Sequence, residues 1–161
     1  MVKSLIARGI GAPDFVKELR SVIYTVSSDK DLHFTDSLAK NAVERENITG
    51  LRSNRIRISK ISLQADQQLL FEVLLYGTDE FEEADLDEDR FIASVEFNLP
   101  IYGFQQITDQ WRLDIENLNI DYVDVDGTKE IHTVLRNLSP TTKNAGAAGE
   151  VKVDFLCDSR A

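Results

Sequence analysis

The chain has 161 residues, of which 42% are hydrophobic and 29% charged, and a formal net charge of -10. That is the make-up of one folded domain burying about two-thirds of its unfolded surface, well away from the disordered class. It excludes a membrane-spanning helix, which needs an apolar run of about 18 residues, and general nucleic-acid binding, which needs clustered Lys and Arg against phosphate.

The charge is uneven. Residues 1 to 60 hold 11 basic and 7 acidic side chains, whereas residues 61 to 161 hold 7 and 21. A mildly basic first third on an acidic body would favour docking on an acidic partner through the N-terminal part. The lone thiol, Cys157, forms no internal disulfide, and the apolar stretch in Met1 to Gly9 is too short for a secretory signal. The chain is therefore expected to start here and to be made in a reducing cytoplasm.

From the N-terminus, Pro13 and Asp14 followed by Phe15, Val16 and Leu19 have helical spacing, and the β-branched Val22 to Val26 reads as a strand. Thr35 ahead of Leu38, Ala39, Ala42 and Val43 predicts a short capped helix or an irregular arm. A period of two begins at Arg55. Ile56 and Ile58 share one phase and Ile61 and Leu63 the other, which places a β-bulge near Ser59 and Lys60. Leu69 to Tyr76, apolar except for Glu72, is expected to be buried on both sides, while Phe91 to Leu99 alternates as a one-sided strand.

Trp111, Leu113 and Ile115 alternate until the phase slips to Leu118, Ile120 and Tyr122, which predicts a corner near Asn117. Asp126-Gly127 is a hairpin signal between Ile120 to Val125 and Ile131 to Leu138. The last strand holds Val151, Val153, Phe155 and Cys157 on its inward side. Seven or eight strands, with little helix after residue 50, predict a mostly β chain: an N-terminal arm with short helical segments over 1–50 and an antiparallel sandwich or jelly roll over 51–161.

No catalytic, cofactor-binding or metal-ligating residue is assigned. Asp79 to Asp89 holds eight carboxylates and no base, a composition that could collect calcium, but its spacing matches no rigid loop and a solvated connection is the simpler reading. Asp121 to Gly127 has the alternating Asp of a calcium loop, yet the register puts Tyr122 and Thr133 where carboxylates are required. His33 and His132 are the only imidazoles, and no glycine-flanked nucleophile accompanies them. Cys157 reads as a core residue. Pro140 to Gly149 reads as a connector whose small residues would let a neighbouring subunit approach closely.

Ile131-His132-Thr133-Val134-Leu135-Arg136-Asn137-Leu138-Ser139, then Lys143 to Gly149, then Glu150-Val151-Lys152-Val153, resembles small virion structural proteins of tailed bacteriophages. Arg55 to Leu63, followed by an apolar strand ending in Leu75-Tyr76, is similar too. The resemblance lies mostly in the C-terminal two-thirds and rests on strands and turns, so it carries over no functional residue. It implies a jelly-roll decoration, or cement, protein that bridges major capsid protein subunits on the shell of a virion, as a homo-oligomer, often a trimer. No cofactor, nucleic acid or membrane is expected as a partner. The competing expectations are a tail or neck component and a carbohydrate-binding module using Tyr102, Phe104 and Trp111.

Overall fold

A computed structural model describes residues 21–28, 34, 37–79, 90–107, 110–144 and 151–160. The strands are β1 (Ser21–Ser27), β2 (Ser37–Leu38), β3 (Val43–Thr49), β4 (Arg55–Ala65), β5 (Leu70–Tyr76), β6 (Phe91–Asn98), β7 (Phe104–Ile107), β8 (Gln110–Ile115), β9 (Ile120–Val123), β10 (Glu130–Asn137), β11 (Lys143–Asn144) and β12 (Val151–Arg160). One short helix, α1 (Leu99–Tyr102), sits between β6 and β7. All pairings are antiparallel.

One sheet runs β1-β12-β4-β8-β7, with β9 also on β4, and the other runs β3-β10-β5-β6. Between the strands of these two sheets the chain changes sheet at every step except β5 to β6, β7 to β8 and β8 to β9, and the four long strands of each sheet, β1-β12-β4-β8 and β3-β10-β5-β6, follow the strand order of a jelly roll. Their inner faces share one core. Ile58, Ile61, Leu63, Val153 and Phe155 come from the six-stranded sheet and Ile48, Phe71, Val73, Phe97, Ile131 and Leu135 from the other. Period two accounts for this directly, since alternate side chains of each strand reach the interior and their neighbours face outward.

The phase change in β4 is a bulge, with Leu156 opposite Lys60 but Cys157 opposite Ile58. It lies level with the corner at Asn117, which has a positive φ of 58°. There the Leu118 N–H donates to the Ser59 carbonyl at 2.9 Å. β8 and β9 therefore occupy the same side of β4, above and below one shared irregularity. A second bulge, at Ile92, turns Phe91 out beside Tyr76 while Ala93, opposite Leu75, keeps the inward phase.

Three expectations need correction. The Asp126-Gly127 turn is real, with Gly127 at φ 74°, but it makes no hairpin. β9 pairs with β4 and β10 with β3 and β5, so the turn carries the chain from one sheet to the other. Nor is there a helix over 37–43. Asn41 has φ 66°, its N–H donates to Asn137 O, and Ala42 closes a turn on Ala39. Finally, a boundary at residue 50 would cut off two sheet strands. β1 is registered on β12 from Ser21 to Ser27, and β3 on β10 from Val43 to Thr49, with Ile48 in the core. β3 hides in the sequence because Glu44, Arg45, Glu46 and Asn47 leave it almost no apolar alternation. The helical spacing after Pro13 and most of the predicted arm lie outside the described residues. Among the described residues no helix is long and apolar enough to cross a membrane.

Candidate functional site

The densest polar chemistry gathers where the chain passes between sheets. Asp124 follows β9 and its side chain turns back over the next residues. Oδ1 accepts from the Asp126 N–H at 3.0 Å, and Oδ2 accepts from the Thr128 N–H and hydroxyl, both at 3.0 Å, and from the Glu130 N–H at 3.1 Å. A short carboxylate at such a position offers the backbone donors of a turn the partners that neither sheet supplies. Gly127 and Lys129 take the positive φ the turn requires.

His132, two residues into β10, completes the cluster. Its Nε2 lies 2.9 Å from Asp124 Oδ1 and 3.5 Å from Asp126 Oδ2, and its Nδ1 lies 2.8 Å from Asn47 Oδ1 on β3. The Asn47 amide nitrogen donates to Asp79 Oδ2 at 3.2 Å, which orients its oxygen towards the ring. Both ring nitrogens thus face acceptors, and a ring protonated at both donates to both. Asp126 joins the segment after β5, accepting from the Thr78 hydroxyl at 2.9 Å and the Asp79 N–H at 3.0 Å. Four chain segments meet around one imidazole that is 1% exposed.

Burial alone would raise both carboxyls. For Asp124 the hydrogen bonds from His132, Glu130 and Thr128 outweigh it and hold the group below the usual carboxylate range. For Asp126 the bonds from Asp79 and Thr78 and the nearby His132 do the same. Beneath them Tyr122 is fully buried. Its hydroxyl accepts from the His132 N–H at 2.9 Å and lies within donating distance of the carbonyls of Tyr76 and Glu130. Burial, the first cause, drives its ionisation well above the ordinary phenol range.

Asp124, Asp126 and His132 offer ligand atoms within 4.8 Å of one another. A cation there would have to displace the Nε2 proton and compete with backbone donors, because Asp124 already accepts five hydrogen bonds. What the arrangement does chemically is brace a turn between sheets. In the sequence, only the Asp-x-Asp-Gly spacing marked this spot. Asn47 and Asp79, far away along the chain, gave no signal.

The other singled-out residues lie apart. Cys157 is in the core, where burial pushes its thiol up to about 12. Tyr102 and Phe104 are exposed, but Trp111 is opposite Gln105 on the inner side of the sheet and packs against the core, so the three rings form no common platform. Arg136 pairs with Glu72, and Asn137 is buried, donating to Leu38 O and Thr141 O, so the Arg-Asn-Leu-Ser stretch is structural. His33, and all of the acidic run after Asp79, lie outside the described residues.

An open groove of about 430 Å³ is lined by Ser53, Arg55, Arg57, Asn119, Asp121 and Asp158. Arg57 is registered between Asp158 on β12 and Asp121 on β9, and Arg55 bonds Asp121 at 2.9 Å, so its charges balance. Comparison with protein-family models and with curated proteins returns no match for this chain.

Proposed function

We propose that the chain is a virion structural protein of the capsid decoration class, seated on the outer shell and stabilising it by bridging neighbouring major capsid protein subunits. The observation that carries this reading is the distribution of its unusual groups. The Asp-His cluster is locked into a turn, while the solvent-facing features are apolar and aromatic surface at the margins of a jelly roll: Ile23, Ile101, Tyr102 and Phe104. Such a molecule works through area. Apolar burial at about 25 cal/mol per Å², less the cost of association, makes bridging feasible, and repetition over a shell multiplies weak contacts. The resemblance of residues 131–153 and 55–76 to phage virion proteins points the same way.

The exposure of Tyr102 favours a second reading, stacking on a sugar ring. The inward place of Trp111 weakens it. Immunoelectron microscopy of particles made from the genome that encodes this chain tests the first reading. Label over the shell is expected; label confined to the tail or neck, or absent from particles, overturns it.

A further inference from the structure

The hydrogen bonds around His132 fix more than the position of its ring. A carboxylate only accepts, so at the 3.2 Å contact with Asp79 Oδ2 the Asn47 side chain has to present its amide nitrogen. Its oxygen is thereby turned to His132 Nδ1, 2.8 Å away. The other ring nitrogen, Nε2, lies 2.9 Å from Oδ1 of Asp124, a carboxyl held ionised by its other bonds and so also an acceptor. A neutral imidazole has one donor and one acceptor, and here it would set a lone pair against a lone pair at one end or the other. Only a ring with a proton on each nitrogen satisfies both contacts.

The charged and titratable groups around the ring come from every element packed on it. The turn brings Asp124 and, 3.5 Å from Nε2, Asp126. Asp79 lies behind Asn47, and Glu130 stands two residues back on β10. Tyr122 on β9 accepts from the His132 backbone N–H, and Tyr76 is its cross-strand partner on β5. The opposing cation is Arg45 on β3, whose guanidinium donates to the Asp79 carbonyl at 3.2 Å. Carboxylates outnumber it, which favours a positive ring. Burial disfavours one: His132 is 1% exposed and the Asp124 side chain is fully buried, so the charge is tolerable only while both acceptors stay in place.

We propose that His132 is a buried imidazolium whose second proton fastens the end strand β3 to the turn between sheets, which makes that fastening pH-sensitive. When the ring gives up one proton, the charged Asp124 keeps the other on Nε2. Nδ1 then faces the Asn47 oxygen bare, and the amide cannot turn over without setting that oxygen against Asp79. The contact released is therefore the one to β3. A proton bound in the closed junction and lost from the open one makes opening easier as pH rises. The stabilisation is complete below about pH 6.5, the range of an unfolded imidazole, and is lost above it as the native ring gives up its proton.

NMR of the full chain reads the charge directly. At about pH 8, well above the ~6.5 of a free imidazole, His132 should show two ring N–H resonances and two ring nitrogens of nearly equal shift. A His33→Gln chain, in which His132 is the only imidazole, assigns them. Corrected for the intrinsic pH dependence of exchange, protection of the β3 amides should fall by up to about tenfold per pH unit above about pH 6.5, the slope of one proton. Asp79→Ala, at an exposed position, frees the Asn47 amide to turn its nitrogen to the ring. That chain should hold a neutral His132 at about pH 8 and lose the slope, whereas Asp121→Ala, which removes an exposed carboxylate from the other sheet, should change neither. A single ring N–H with widely split nitrogens in the parent at about pH 8, β3 protection that is flat with pH, or an Asp79→Ala chain that keeps both ring protons overturns the proposal.

Discussion

Replacing Asp124 with Ala should cost far more than a surface turn residue ordinarily does. The side chain is fully buried and accepts five hydrogen bonds, from the amides of Asp126, Thr128 and Glu130, the Thr128 hydroxyl and His132 Nε2. A buried donor left without a partner costs about 1–3 kcal/mol, and several are left at once here. Water reaches part of this turn and reduces the penalty, so the expected loss is about 4 kcal/mol, or a fall in Tm of about 8–16 °C for a chain of this size. Asp124→Asn keeps one oxygen for the backbone amides and should lose about half as much. Asp121→Ala, which removes an exposed pair with Arg55, should leave the midpoint where it is. Equilibrium denaturation followed by the fluorescence of Trp111, the only tryptophan, measures all three. An Asp124→Ala chain within about 1 kcal/mol of the parent would refute the bracing role, because five bonds would then be contributing what one does.

The carboxyls of Asp114, Asp124 and Asp126 are held below their unfolded range, so their stabilisation is present above about pH 4 and is lost as pH falls through their lower native values. Acid titration of the parent should therefore show stability declining below about pH 4, with a shallower decline in Asp124→Ala. Cys157 should ignore a thiol reagent in the native chain and react at once in denaturant; fast labelling of the folded protein would contradict its core position. Deleting residues 1–50 removes β1 and β3 and should abolish the cooperative transition; a sharp melt in the truncated chain would restore the idea of a separable arm. Melts in calcium, in zinc and in chelator should agree within about two degrees, and a large upward shift with either metal that is lost in Asp124→Ala would show that the Asp124, Asp126 and His132 atoms bind it in the native state.

Much of the sandwich was legible in the residues themselves. Strict alternation identified β4, β8 and β12, a continuous apolar run identified β5 as buried on both faces, and two phase slips located the bulge at Ser59 and the corner at Asn117. These are local properties, because a side chain's face is decided by its place in a period of two. The edge strand β3 was not legible, since a strand of polar and charged residues is set by backbone pairing with a distant partner rather than by its own pattern.

Sheet membership was not legible either. An Asp-Gly turn is the same local object whether the strands on either side pair with each other or diverge, and only the claims of β4 on β9 and of β3 and β5 on β10 decided between them. The cluster around His132 belongs to the same category. Its Asp124 and Asp126 are near in sequence, but Asn47 is the cross-strand partner of His132 on β3 and Asp79 follows β5, the other neighbour of β10, so both reach it only through pairings between strands remote along the chain. The sequence determined most of the long strands and which side of each would be dry. The tertiary structure decided which margins lie at opposite ends of one sheet, because strand order depends on pairings between residues remote along the chain, and no local periodicity records them.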